Sequence, residues 1–160
     1  MVEDPFFKGS NFFVILLNKF MKWYFASRTR HTEKLKEIAK FIESKGQTLS
    51  SDWIYERNLK PFLENIDEVR NLNDHNINQM INCDIFVMFN DPEGIDIFTE
   101  YGVCLAAHEL GHKKKFYIIC DVEKVSLMQH YKDVIHVKDL KEVFEREGID
   151  TSDFVLPIVE

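Results

Sequence analysis

The stretch that decides the fold is NCDIFVMFNDPEGIDIFTEYGVCLAAHELGHKKKFYIIC, residues 82–120. It contains two short apolar runs rich in β-forming residues, at 83–89 and 116–120, which predict buried strands. Between them, turn-forming residues at 90–94 precede a helical pattern at 97–110. A strand, a helix and a second strand in this order predict the crossover unit of a parallel sheet.

The rest of the chain alternates strands and helices in the same way. Strands are predicted at 22–27, 47–50 and 134–137, and helices at 32–44, 60–70, 74–82, 122–131 and 139–147. The spacing of four apolar residues predicts the buried face of the central helix: Val103, Ala106, Ala107 and Leu110. The pattern predicts an α/β fold: a five-stranded parallel sheet with helices on both faces, of the flavodoxin-like or Rossmann-like type.

Residues 1–20 do not fit this alternation, whereas residues 21–160 form a single predicted domain. Two interpretations of the N-terminal segment stay open. It is either a short helix packed on the domain or an extension upstream of a start at Met21. Its phenylalanine-rich face would need to be buried, for example in an oligomer interface.

Composition predicts a soluble globular protein. Apolar residues make up 45% of the 160 residues, which is enough for a core, and no apolar run is long enough to cross a bilayer. The formal net charge of −7 argues against a nucleic acid polymer as partner, because such a partner requires a basic surface. Cys83, Cys104 and Cys120 lie in apolar runs without paired spacing, which indicates buried thiols in a reducing, cytoplasmic compartment.

Acidic residues gather where the third predicted strand ends. Ligands of open parallel sheets bind beyond the carboxyl ends of the strands. Four carboxylates follow that strand: Asp91, Glu93, Asp96 and Glu100. Near the start of the next helix, Glu100 would be stabilised as an anion, which suits a nucleophile. A glutamate at a helix start is also common without any function.

Two further groups of residues follow predicted strands at the same edge. After the first strand, Ser27, Arg28 and Arg30 offer a hydroxyl and two guanidiniums that suit a phosphate, although ordinary surface arginines would give the same pattern. After the second strand come Asp52 and Trp53. An aromatic ring there either stacks on a base or covers the core.

The segment HELGH at 108–112 matches the zinc-peptidase pattern HExxH. That motif requires two histidines on one face of a continuing helix, together with a third ligand. Here Gly111 and three lysines end the helix, and a strand follows at once. We therefore favour a solvated helix end whose His and Lys side chains complement the helix dipole. For a zinc site, His130 and His136 are the distant candidate ligands.

Four segments resemble the nucleoside 2-deoxyribosyltransferase-like family, which includes nucleotide N-glycosidases. They are KWYFASRTR at 22–30, SKGQTLSSDWIY at 44–55, NDHNINQMINCDIFVMF at 73–89 and GIDIFTEYGVCLAAHELGHKKKFYIIC at 94–120. In this family a glutamate attacks the anomeric carbon of a ribosyl unit, and an aromatic or hydrophobic residue and a glycine follow it. Glu100, Tyr101 and Gly102 lie at that position. The resemblance implies cleavage of an N-glycosidic bond, by hydrolysis or by base exchange.

The resemblance also implies roles for other residues. The family places an aspartate six residues and a glycine four residues before the glutamate, positions held here by Gly94 and Asp96. A further family aspartate corresponds to Asn76, with Asp74 nearby. We expect Glu100 to be the nucleophile and Asp96 or Asp91 the second acid. The predicted substrate-binding residues are Ser27, Arg28, Arg30, Asp52, Trp53, Asp74, Asn76, Asp91, Gly94 and Tyr101.

The family implies a homodimer or larger oligomer, in which a neighbour helps to close each site. We expect neither a metal nor a cofactor. The arginines favour a nucleoside monophosphate as the substrate and hydrolysis as the reaction. Because Gly94 stands at the position of the family aspartate, a second interpretation stays open. In it, the same fold binds a nucleotide as a non-catalytic sensor. A zinc peptidase is the third.

Overall fold

The computed structural model describes residues 20–157 and 159. Its centre is a sheet of five parallel strands in the order β2-β1-β3-β4-β5. The strands are β1 (Lys22–Ala26), β2 (Thr48–Leu49), β3 (Ile85–Phe89), β4 (Lys115–Ile119) and β5 (Val134–Val137). The α-helices are α1 (Thr32–Ser44), α2 (Ile66–Asn82), α3 (Ile95–Glu109) and α4 (Leu140–Arg146). The predicted α/β class, with five parallel strands in flavodoxin-like order, is confirmed.

Helices cover both faces of the sheet, because alternate residues of a strand point in opposite directions. Trp23 and Phe25 of β1 belong to a core layer shared with α1 and α4. Tyr24 and Ala26 face the other layer, which α2 and α3 cover. All five residues of β3 are buried. This burial on both faces explains why the strand is apolar throughout rather than alternating.

The helix α2 differs from the sequence prediction, which divided it into helices at 60–70 and 74–82. A short 3-10 turn at Phe62–Asn65 comes first, and α2 then runs without a break for 17 residues. The polar residues Asn71 and Asn73 lower helix propensity, but neither stops a helix as a proline would. The helix α2 packs against α3 and β1.

The segment 122–131 is not the helix that its pattern predicted. It forms two short 3-10 turns at Val122–Lys124 and Leu127–His130. Asp121 caps the first turn by accepting a backbone hydrogen bond, and the side chain of Gln129 accepts one at the start of the second. These side chains satisfy the backbone locally, which favours turns over a continuous helix.

The helix α3 begins two residues before its predicted start, and its buried face matches the predicted one only in part. Its buried side chains are Ile97, Tyr101, Cys104, Leu105, Ala107 and His108. Of the residues predicted to be buried, Ala107 is buried, Val103 is half-buried, and Ala106 and Leu110 are exposed. The stripe at 97, 101, 104 and 108 has regular helical spacing, and it lies over the sheet.

The N-terminal helix or extension predicted at residues 1–20 lies outside the described residues, apart from Phe20, which is exposed. Within the described part of the chain, no helix has both the length and the apolar character needed to cross a bilayer. All three thiols are free: Cys83 and Cys104 are buried, and Cys120 is half-buried.

Candidate active site

The candidate site lies where β1 and β3 end. The chain order reverses at β1, since its connection leads outward to β2 while β3 pairs on its other side. Loops that leave such neighbouring strands toward opposite faces open a crevice, and ligands of this fold class bind there. The loop after β1 carries Ser27, Arg28 and Arg30, and the loop after β3 carries Asp91 and Gly94.

The carboxylate of Glu100 is held by a tyrosine of the central sheet. Glu100 lies in the second turn of α3 and is half-buried, and its Oε1 accepts a 3.1 Å hydrogen bond from the hydroxyl of Tyr24. Tyr24 is fully buried in β1, so its hydroxyl is a fixed donor. The sequence patterns do not single out Tyr24. The feature that could have identified Tyr24 is its hydroxyl group, carried on the face of a buried strand that is covered by a helix.

Burial sets the charge state of Glu100. It raises the pKa of the carboxyl from its usual 4.5 to about 8, the Tyr24 hydrogen bond opposes this shift, and the charge of Asp96 adds to it. The expectation that the helix start stabilises the anion is therefore wrong. Glu100 lies beyond the first turn, where the dipole is weak. A buried carboxyl with a pKa near neutrality is typical of reactive groups in active sites.

The two arginines of the β1 loop are paired with the β3 loop. The Nη2 of Arg30 lies 2.9 Å and the Nη1 of Arg28 lies 3.4 Å from the same oxygen, Oδ2 of Asp91. Arg28 also lies 3.7 Å from a carboxylate oxygen of Glu93. The residues predicted to bind phosphate and the predicted second acid Asp91 thus contact each other across the crevice.

A buried histidine orders the β1 loop. The Nε–H of Arg30 donates to Nε2 of His31 at 3.0 Å, so the ring proton of His31 lies on Nδ1. That Nδ1–H donates to Oγ of Ser27 at 2.9 Å. The hydroxyl proton of Ser27 therefore points away from His31, as donation to a ligand would require. The sequence patterns missed His31, although it follows the two arginines directly.

Asp52 and Trp53 are held by contacts within the protein. The carboxylate of Asp52 lies 3.0 Å from Nε2 of His75 on α2. The indole N–H of Trp53 donates to the carbonyl oxygen of Phe25 at 3.0 Å, and its ring packs against both core layers. These contacts fit the alternative in which the ring covers the core at the end of β1. A role for either residue in substrate binding stays a prediction.

The parallel course of α2 and α3 brings Asn76 to the level of Glu100. Cys104, one turn after Glu100, has its Sγ 3.6 Å from the carbonyl oxygen of Met80, one turn after Asn76. Both helices follow strands of a parallel sheet and therefore run in the same direction. Asn76 and Glu100, each one turn before the residues in contact, are therefore expected to lie side by side. The Oδ1 of Asn76 is buried and has no hydrogen-bond partner among the described residues. Asp74 lies exposed on the same helix.

Tyr101 and Gly94 have packing roles in the free protein. Tyr101 is buried, which raises its pKa to about 12, and its hydroxyl donates to the carbonyl oxygen of Met128 at 2.7 Å. The N–H of Gly94 donates to the carbonyl oxygen of Asp91 at 2.9 Å and closes the turn before α3. Contacts of Tyr101 and Gly94 with a substrate stay predictions.

The HELGH segment forms the turn from α3 to β4. The helix ends at Glu109, and His108 is buried rather than solvated as predicted. Its Nδ1 accepts from the N–H of Lys114 at 3.1 Å, so its Nε2–H donates to Asp133 at 3.1 Å. Both ring nitrogens are engaged within the protein, and neither offers zinc a lone pair. Over the residues that the structure describes, no three His, Cys, Asp or Glu side chains gather as metal ligands would.

The fold and the crevice define a Rossmann-like α/β protein with the fold of an N-glycosidase. The structure of the CMP N-glycosidase BcmB from Clostridium botulinum is similar, with a TM-score of 0.53 and 14% sequence identity. The match covers 78% of this chain and 96% of that one. No protein-family model and no curated protein sequence matches the chain. At this identity the likeness shows the fold and does not by itself assign an activity.

Proposed function

We propose that the protein is a nucleotide N-glycosidase with Glu100 as its nucleophile. The observation that supports this most is a half-buried carboxylate on α3, bound by a buried tyrosine hydroxyl. Glu100 belongs to the layer of α2 and α3. The N-terminal ends of these helices lie at the edge of the sheet where ligands bind in this fold class. A likeness in fold to a CMP N-glycosidase raises the expectation of the same reaction class.

The proposed reaction proceeds in two displacements at one carbon. The carboxylate of Glu100 attacks the anomeric carbon, and the carbon–nitrogen bond breaks with its electron pair moving to the base. Asp96, one turn before Glu100, relays a proton from solvent to the leaving base. Water then attacks the same carbon, gives its proton to Asp96, and releases the sugar and the free Glu100 carboxylate. A second base in place of water would give exchange.

In this proposal Tyr24 orients the nucleophile. Its hydroxyl donates to Oε1 of Glu100 and favours the ionised carboxyl, because hydrogen bonding to the charged form lowers a pKa. Attack then falls to Oε2. Asn76, on the neighbouring helix, offers a buried acceptor for a hydroxyl group of the sugar.

We propose a nucleoside 5′-monophosphate as the substrate. Ser27, Arg28 and Arg30 combine a hydroxyl with two guanidiniums at the end of β1, and guanidiniums match the geometry of phosphate oxygens. Trp53 follows β2 at the same edge, where its ring can contact a base. The phosphate would anchor the sugar with its anomeric carbon toward Glu100.

The test is release of free base from a panel of ribonucleosides, deoxyribonucleosides and their 5′-monophosphates, measured by chromatography. We expect release from at least one monophosphate. Glu100→Gln should abolish this release while nucleotide binding persists. Glu109→Gln, which changes an exposed glutamate at the far end of α3, should not alter the rate. Nucleotide binding without release of base by the wild type would instead support a sensor.

The sensor is the second candidate, because Gly94 occupies the position that an aspartate holds in the family the sequence resembles. It shares the fold, the arginine loop and the crevice with the enzyme, so only turnover separates the two. The zinc peptidase is disfavoured by the contacts of His108. Elemental analysis that found one zinc per chain would reverse that judgement.

A further inference from the structure

The carboxylate of Asp91 lies where the β1 and β3 loops face each other. One oxygen, Oδ2, accepts from Nη2 of Arg30 at 2.9 Å and from Nη1 of Arg28 at 3.4 Å. The other oxygen, Oδ1, accepts from the N–H of Glu93 at 2.9 Å. Asp91 follows β3 by two residues and the arginines follow β1, so these ion pairs cross the ligand crevice of the fold.

Asp91 is firmly held, whereas Glu93 is not. The side chain of Asp91 is 14% exposed and that of Glu93 is 81% exposed. Arg28 lies beside the turn at Gly94, where a Cβ added to the glycine would come within 3.2 Å of its Cδ. The side chain of Arg28 is 30% exposed and that of Arg30 is 53% exposed. A charge as little exposed as that of Asp91 is screened less by solvent than the charge of Glu93.

The arginines of the β1 loop face carboxylates of the β3 loop in the free protein. Two guanidiniums face the carboxylates of Asp91 and Glu93, and the closest contacts all converge on Asp91. A phosphate that approached these arginines would meet a carboxylate already bound to both. The phosphate would have to displace Asp91 from the arginines, or bind beside Asp91 despite the repulsion between the two anions. A neutral 5′-hydroxyl would meet no such competitor.

We propose that Asp91 is an internal counter-ion that determines how strongly this crevice binds phosphate. Asp91 thereby fixes the preference between nucleoside 5′-monophosphates and nucleosides. This inference rests on the proposed function for its choice of substrates, but the competition between Asp91 and an anion does not require turnover. Asp91 is then a specificity-determining residue and not the acid that protonates the leaving base.

The experiment compares binding in proteins that carry Glu100→Gln, so that no ligand is consumed. The parent protein carries Glu100→Gln alone, and two variants of it also carry Asp91→Asn or Glu93→Gln. Binding of inorganic phosphate, CMP and cytidine to each of the three proteins is measured by calorimetry. Asparagine keeps the shape of the side chain and its acceptor for the N–H of Glu93 while removing the charge.

Removal of the Asp91 charge should tighten the binding of phosphate and of CMP by about tenfold or more and change the binding of cytidine by less than about twofold. Glu93→Gln should change all three by less than about threefold, because this exposed side chain is screened by solvent. Should Asp91→Asn unfold the protein, Asp91→Ser serves as a second neutral variant, since a serine hydroxyl can also accept from the N–H of Glu93.

Weaker phosphate binding by the neutral variants would overturn the inference, since it would mean that Asp91 organises the arginines for the anion. Unchanged phosphate binding would overturn it as well. Failure of the proposed function has a different signature. Phosphate binding could tighten as expected while the wild-type protein releases base from no nucleoside or nucleotide. That result would support the counter-ion role of Asp91 and refute the proposed glycosidase activity.

Discussion

Glu100 combines two properties that oppose each other. Its position beside Tyr24 suits a nucleophile, but burial raises its pKa to about 8, so much of the free protein carries it protonated at neutral pH. An attacking carboxylate must be ionised. We therefore expect kcat/KM to rise with pH and to level off above about pH 8, because this ratio reports the free enzyme. In Tyr24→Phe the rise should move to higher pH, since the hydrogen bond that lowers the pKa is gone.

A kcat/KM that instead falls as the pH passes about 8 would contradict this role. It would identify Glu100 as an acid that must be protonated, in which case another group attacks the sugar.

The same shift affects stability. Between the usual pKa of 4.5 and the folded value of about 8, the folded protein keeps a proton that the unfolded chain has released. The free energy of unfolding therefore falls as the pH rises through this window, by at most about 1.4 kcal/mol per pH unit. The Tm of Glu100→Gln minus the Tm of wild type should rise steadily with pH between 4.5 and about 8, and should stay constant at higher pH. Parallel curves of Tm against pH for the two proteins would show that Glu100 is not buried as described.

The start of α3 depends on the absence of a side chain at Gly94. A Cβ there would lie 2.6 Å from Cγ1 of Ile97 and closer still to Cδ1, and Ile97 is 1% exposed, so it has no space to move into. Gly94→Ala should lower stability by about 1–3 kcal/mol. Gly102→Ala in the same helix is the matched control. No atom lies within 4 Å of its added Cβ, so it should be neutral or raise Tm through helix propensity. Equal effects of the two substitutions in thermal unfolding would refute this account.

Elements with a local cause were predictable from the sequence, and contacts between distant segments were not. The strand β5 has its predicted bounds because a short apolar run lies between turn residues. The sequence prediction divided α2 at residues 71–73, but asparagine only weakens a helix and does not end it, so the helix continues through this segment. The partners Tyr24 and Glu100 are 76 positions apart, and Arg30 and Asp91 are 61 apart. Local spacing contains no information about either pair.

Among the residues that the structure describes, several large apolar side chains are exposed on the side of α2 and α3. Leu63, Ile95, Leu127 and Met128 are more than half exposed, and they lie before α2, at the start of α3 and in the loop after β4. These positions share the edge of the sheet where the proposed site opens. We propose that a second copy of the chain covers them, as the family resemblance implies, and completes the site.

Light scattering should therefore give at least twice the chain mass of 19.0 kDa. Leu127→Asp should reduce this mass and the rate of base release together. Val155→Asp, at a residue 92% exposed in the C-terminal tail, should change neither. A monomer that releases base at the full wild-type rate would refute this proposal.

The most direct test of the central claim is covalent trapping of the sugar on Glu100. A nucleoside monophosphate with fluorine at the 2′ position forms and loses a glycosyl ester slowly, because fluorine destabilises the oxocarbenium-like transition states of both steps. After mixing with wild-type protein, mass spectrometry should show one added sugar phosphate per chain. It should lie on the peptide that contains Glu100, and it should be absent in Glu100→Gln. Release of base from this analogue with Glu100 unmodified, or with the sugar on another residue, would contradict the account.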